Sequence, residues 1–255
     1  MRPLNKCQLC LHEAPLCLSH IIPEFVYTPM YDQKHRFTVM SSLAKTPNRS
    51  SQIGVREYLL CQQCETRISK WERYMKEVFY DGRHATSRKV DHVLILEGLK
   101  YAEARLYHLS LFWRMAISSQ NIFSSVSLGP HQERLRVLLQ DGNPAEPTTY
   151  PFFAVIPTIS GDIQQDFILQ PEWIRIDGHR LYRVVVGGIL YFFGVNSAVI
   201  RSEWRPALLA KSGTWRLLFS EVRDIPYLDQ WFSACAVAER QRESEKQVGG
   251  NGGKR

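Results

Sequence analysis

Apolar positions recur with two different periods along this chain, and the change of period divides it. Past Cys64, apolar side chains return at Ile68, Trp71, Met75, Val78 and Phe79, in steps of three and four that place them on one stripe of a helix. Asp81-Gly82 supplies a stop. A second helix is predicted over about 98–118, with Leu99, Ala102, Leu106, Leu109, Phe112, Trp113, Ala116 and Ile117 on one stripe. A third begins near Pro130, a residue suited to a first helical turn, and ends at Asp141-Gly142. From Tyr150 onward the pattern shortens to β-prone runs at 151–157, 166–169, 173–176 and 181–186. Gly187-Gly188 separates Val184-Val185-Val186 from Ile189-Leu190-Tyr191-Phe192-Phe193, a hairpin signal. An antiparallel sheet and a last helix over about 227–241 are expected there.

The N-terminal stretch reads differently. His20-Ile21-Ile22-Pro23-Glu24-Phe25-Val26-Tyr27 is apolar and β-prone, and Val55–Leu60 is a short strand. Between them, 41–54 is polar and turn-rich, with Pro47 and Asn48, and reads as a loop. The expected organisation is an N-terminal unit over 1–82, a helical segment over 83–142 packed on it, a β-rich region over 143–246 and a disordered tail over 247–255. The tail, rich in glycine, has too few apolar groups to order. The fold class is α+β.

Composition narrows the class. With 44% apolar and 11% aromatic residues in 255, the chain can bury a sizeable core. No apolar run approaches the roughly 18–20 residues needed to span a bilayer, and MRPLNKCQLC lacks the apolar centre of a secretory signal. A soluble, cytoplasmic protein with no membrane partner is expected. The net charge of +7 is unevenly spread. Residues 1–90 hold 14 Lys and Arg against 8 Asp and Glu, a net of +6, which leaves +1 for the remainder. A local basic excess is the electrostatic footprint of a phosphate-binding surface, and equally of a solvated face. Arg49, Arg56, Arg67, Lys70 and Arg73 are the candidate phosphate contacts.

Four of the six cysteines form two C-x-x-C pairs, Cys7/Cys10 and Cys61/Cys64, with 50 residues between them. Without a secretory signal such pairs favour a metal over disulfides, and four thiolates make a closed tetrahedral shell for zinc. Cys17 lacks a paired spacing and reads as a small buried residue. Trp113 reads as core; His35, His84, His92 and His108 read as surface residues. No phosphate-binding loop, nucleophile elbow or dinucleotide fingerprint occurs.

The order of motifs adds one resemblance. Cys-x-x-Cys, then Ser19-His20-Ile21-Ile22-Pro23-Glu24-Phe25, then Glu57-Tyr58-Leu59-Leu60-Cys61-Gln62-Gln63-Cys64-Glu65 and a helix, resembles the zinc-stapled HNH endonucleases of ββα-metal fold. Trp71-Glu72-Arg73-Tyr74 and Leu109-Ser110-Leu111-Phe112-Trp113-Arg114 match an uncharacterised prokaryotic HNH-like group more narrowly. The resemblance implies structural Zn2+ on the four cysteines, His20 as general base, and Glu65 as a ligand for catalytic Mg2+ or Mn2+. It also implies DNA as substrate, a role in prokaryotic defence against phage or foreign DNA, and a protein partner or oligomer in such a system. Ser19 stands where the family usually has a metal-binding aspartate, and Asn48 is the only asparagine between His20 and Cys61. The alternative is therefore a catalytically inactive zinc module that binds nucleic acid or protein.

Overall fold

A computed structural model describes residues 2–40, 45–176, 178–195 and 202–250. The first cysteine knuckle is a tight turn between β1 (Leu4–Lys6) and β2 (Glu13–His20). β2 pairs antiparallel with β5 (Arg56–Cys61), with Leu16 opposite Cys61 and His20 opposite Arg56. The helix α2 (Gln62–Phe79) starts directly from β5. Its buried face carries Ile68, Trp71, Met75 and Val78 as expected, with Tyr74 added.

Two readings of this region change. The β-prone stretch from His20 does not continue as a strand. Pro23 has no N–H for a ladder, and the chain instead makes a helical turn, α1 (Glu24–Tyr27). Nor is 41–54 only a loop: β4 (Arg49–Ser51) pairs antiparallel with β3 (Phe37–Val39).

The segment 83–142 is helical only in part. It opens with a hairpin, β6 (Thr86–Val90) and β7 (Val93–Glu97). Then come α3 (Tyr101–Ile117) and α4 (Pro130–Asp141), close to their expected bounds. α3 does not present one stripe. Every residue from Ala104 to Met115 is buried, as expected of a helix enclosed on all sides. Its polar residues are therefore forced to find partners. Arg105 donates to the carbonyls of Pro144, Glu146, Thr149 and Tyr150, which lets a buried cation satisfy its N–H groups. His108, expected at the surface, is fully buried. It stacks on Phe152 at 4.2 Å between ring centroids, and Nδ1 meets the Ala104 carbonyl at 2.7 Å. Burial pushes its pKa down to about 3, so it stays neutral. Trp113 is core, as expected.

β8 (Phe152–Ile159), β9 (Asp162–Ile163), β10 (Leu169–Ile176), β11 (His179–Val186), β12 (Ile189–Gly194) and β13 (Trp215–Glu221) form a sheet with the upstream hairpin. The order is β10-β11-β12-β8-β13-β7-β6, with β9 beside β8. The sheet is mixed rather than antiparallel throughout, because β13 lies parallel to β8. One buried cluster runs from Cys7 through α2, α3 and α4 to Leu217 of β13, so the knuckles share a core with the sheet. The last helix, α5 (Pro226–Gly250), starts near its expected position and runs further. Of the expected disordered tail, 247–250 belongs to this helix and 251–255 lie outside the described residues.

The β11–β12 hairpin forms as predicted, with Val186 opposite Ile189 and positive φ at Gly187 (60°) and Gly188 (73°), the pairing a tight two-residue turn needs. Gly188 has a second constraint. A Cβ there would lie 1.6 Å from the Gln164 carbonyl oxygen, whereas one at Gly178, also at positive φ, would meet nothing within 4 Å. Gly188→Ala is expected to destabilise the fold by about 3 kcal/mol or more, and Gly178→Ala by only about 1–2 kcal/mol. Urea denaturation of the two variants measures the difference; equal losses would show that backbone conformation alone governs both sites.

Candidate metal centre and the His20 cluster

The β2–β5 register brings the two knuckles together. The sulfurs of Cys7, Cys10, Cys61 and Cys64 all lie within 4.8 Å of one another. Cys10 Sγ is 3.8 Å from Cys61 Sγ, which is about the edge of a tetrahedron with zinc–sulfur bonds of ~2.3 Å. The Cys61 amide donates to Cys7 Sγ at 3.3 Å. Cys7, Cys61 and Cys64 are buried and Cys10 is half-buried. A hydrogen bond from Cys64 lowers the Cys7 thiol to about 4, and the same bond raises Cys64. Four crowded thiols cannot all ionise without a cation among them. This donor set can hold a metal ion such as zinc.

Neighbouring elements brace the knuckles. Arg136 of α4 donates to the Leu9 carbonyl at 2.6 Å and holds Glu133 at 2.7 Å. Cys17 is buried as expected and lies outside the cluster, with its sulfur 3.3 Å from Arg2 Nη1.

His20 ends β2 at the far end of the β2–β5 pair from the sulfurs. Its Nε2 lies 2.5 Å from Glu24 Oε2, a close contact outside hydrogen-bond angles. Glu24 opens α1, and it also accepts from Tyr31 (2.9 Å) and Arg56 (3.0 Å). Burial, followed by the Arg56 charge, lowers the His20 pKa below its ordinary value despite the Glu24 carboxylate. Asn48 bonds Glu239 of α5 at 3.1 Å, and Glu24 rather than an asparagine contacts the His20 ring.

Glu65 sits in the first turn of α2. It accepts from Ser19, which is fully buried, at 2.6 Å. The residue before His20 and the residue after the second knuckle thus meet. Burial raises the Glu65 pKa, against the lowering effects of Ser19 and Arg114. No hydrogen bond or ion pair joins Glu65 to His20 among the described residues; Arg114 lies near both and acts on Glu65 through its charge alone. This buried side chain reaches from α3, donates to the His20 carbonyl at 2.6 Å and pairs with Glu72 at 2.7 Å.

The basic residues divide. Arg56 is held by Glu24, and Arg67 donates to the Gln140 carbonyl at 2.5 Å. Arg49, Lys70 and Arg73 are exposed. Glu24, Arg114 and Glu72 were not singled out as site residues by sequence reasoning. The His20–Glu24 spacing of four was readable only if a helical turn followed Pro23.

A scan against protein-family models finds none that matches this chain, and searches of curated proteins and of solved structures find no match either.

Elemental analysis of protein purified without chelator is expected to find one zinc per chain. Cys64→Ser is expected to lose it and to lower the thermal midpoint by ~10 °C or more, whereas Cys17→Ser keeps it. Equal metal content in the two variants would remove the four-sulfur assignment.

Proposed function

We propose that this chain is a metal-dependent phosphodiesterase of the HNH type, acting on DNA, with zinc as a structural staple on Cys7, Cys10, Cys61 and Cys64. The observation that carries the reading is the His20–Glu24 contact at the end of β2, beside the Ser19–Glu65 contact, on a β-hairpin-and-helix unit gathered by four sulfurs. A general base needs an imidazole that is neutral at working pH and fixed in orientation. Burial and Arg56 favour neutral His20. The Glu24 carboxylate beside Nε2 favours a proton there by its charge, which would leave Nδ1 as the basic nitrogen.

Glu65 is the carboxylate available to a hard cation. Magnesium sites commonly use one or two carboxylates with waters and substrate phosphate, and Glu65 would supply the one protein carboxylate here. Such a cation, when bound, would supply charge stabilisation to the phosphate and the departing oxygen. Arg114 holds the His20 carbonyl and Glu72, fixing the strand end against α2. The exposed Arg49, Lys70 and Arg73 are available to the DNA backbone.

A second reading follows from Ser19. Its hydroxyl satisfies Glu65 at 2.6 Å and adds no second carboxylate, which suits a zinc module that binds nucleic acid or protein without cutting. Plasmid incubated with Mg2+ or Mn2+ separates the two. The enzyme reading expects cleavage that His20→Ala reduces by ~100-fold or more. The absence of cleavage, with salt-sensitive DNA binding, supports the second reading.

The pH dependence provides a further check. His20 has a lowered pKa, so the acid limb of cleavage is expected below its ordinary value of about 6.5. Arg56 lowers that pKa, so Arg56→Ala should move the limb to higher pH. A limb that stays in place in Arg56→Ala argues against His20 as the titrating base.

A further inference from the structure

Away from His20 and the cysteines, a cavity of about 300 Å³ opens between α1, the end of α2, α3 and the large sheet. Its walls are mainly apolar, and no charged side chain lines it. Three tyrosines, Tyr80, Tyr107 and Tyr191, share this space. Tyr107 and Tyr191 are almost wholly buried, 1% and 2% exposed. Neither hydroxyl forms a hydrogen bond to another described residue, and neither oxygen is among the fully buried polar atoms, so both open onto this space. A buried phenol ordinarily finds a partner, since leaving it unpaired is costly. Burial also raises both pKa values well above 10, so both groups remain neutral.

The pocket is also shaped by the backbone. Gly187 at the β11–β12 turn approaches α1 so closely that a Cβ there would sit 3.3 Å from Val26 Cγ1 and 3.5 Å from the Tyr80 hydroxyl. The hairpin tip thus abuts Val26, and the two together close part of the wall. Ligand sites typically combine apolar walls with a few convergent polar groups.

We infer that this cavity is a binding site for a small neutral aromatic or heteroaromatic molecule, whose ring packs on the apolar walls and whose polar atoms pair with the Tyr107 and Tyr191 hydroxyls. A charged ligand is excluded by chemistry: no counter-ion lines the walls, and burying an unpaired charge is prohibitive. An apolar cavity of roughly half this volume holds benzene, so this one has room for a bicyclic ring system. The inference stands apart from the phosphodiesterase reading.

Quinoline, neutral at pH 7 with one ring acceptor, is a suitable probe for the full chain, and quinoline-4-carboxylate is its charged counterpart. Isothermal titration is expected to show saturable quinoline binding at or below about 1 mM and no binding of the carboxylate. Ala85→Phe, from a half-buried wall position, and Ile163→Trp, from an exposed one, should each weaken quinoline at least tenfold. The double variant Tyr107→Phe/Tyr191→Phe keeps the volume and should weaken it about fivefold. Failure of quinoline to saturate, equal binding of the carboxylate, or unchanged affinity in both filled variants overturns the site. Unchanged affinity in the tyrosine double variant overturns the pairing with the phenols.

Discussion

Four sulfurs must meet within a few ångströms, although 50 residues lie between one pair and the other in the chain. That requirement sets the geometry of everything around it. Cys61 closes β5 opposite Leu16 of β2, so the cluster pins the strand pair at one end. His20 lies at the other end of β2, and Glu65 follows Cys64 directly. The same pinning therefore decides where the imidazole and the helix carboxylate stand. Without a cation, the crowded thiols resist simultaneous ionisation: the Cys7–Cys64 hydrogen bond lowers Cys7 and raises Cys64. A metal ion removes the conflict and converts a crowded sulfur cluster into a cross-link.

The second constraint is electrostatic. Glu24, Glu65 and Glu72 all lie near the His20 end of β2, and burial raises the Glu65 pKa. Two arginines from different directions offset them: Arg56, across the strand pair, holds Glu24, and Arg114, from α3, holds Glu72 and lowers Glu65. Arg114 is 1% exposed, so its charge is screened little by solvent. Because it also binds the His20 carbonyl, the innermost helix of the protein takes part in holding the edge of the candidate site.

The helices were legible because their periodicity was strong: α2, α3 and α4 sit close to their predicted spans, and the Gly187-Gly188 turn did what its glycines allow. The C-x-x-C spacing led to the sulfur cluster. What escaped depended on pairing across long distances. All five residues of β6 are exposed, so no alternation marked it, and it is a strand because β7 offers a ladder. Its turn uses Asp91 at positive φ (51°) instead of a glycine. The parallel β8–β13 pair joins segments that no local pattern connects. His108 looked like a surface residue because neutral, stacked histidines leave no mark on a sequence. Glu24 is hidden in the sequence because an extended stretch after His20 would carry its side chain away from the imidazole, and only the helical turn α1 brings it back.

The place of β13 has a consequence for how the chain comes into being. On a ribosome, the β6–β7 hairpin emerges early, but the strand that flanks β7 begins only at Trp215. At typical rates of translation the interval is on the order of 10 s. Throughout it, β7 presents an unpaired edge bearing Leu94, Ile95 and Leu96. During synthesis this open flank is a segment on which a chaperone, or a neighbouring nascent chain, could gain a foothold.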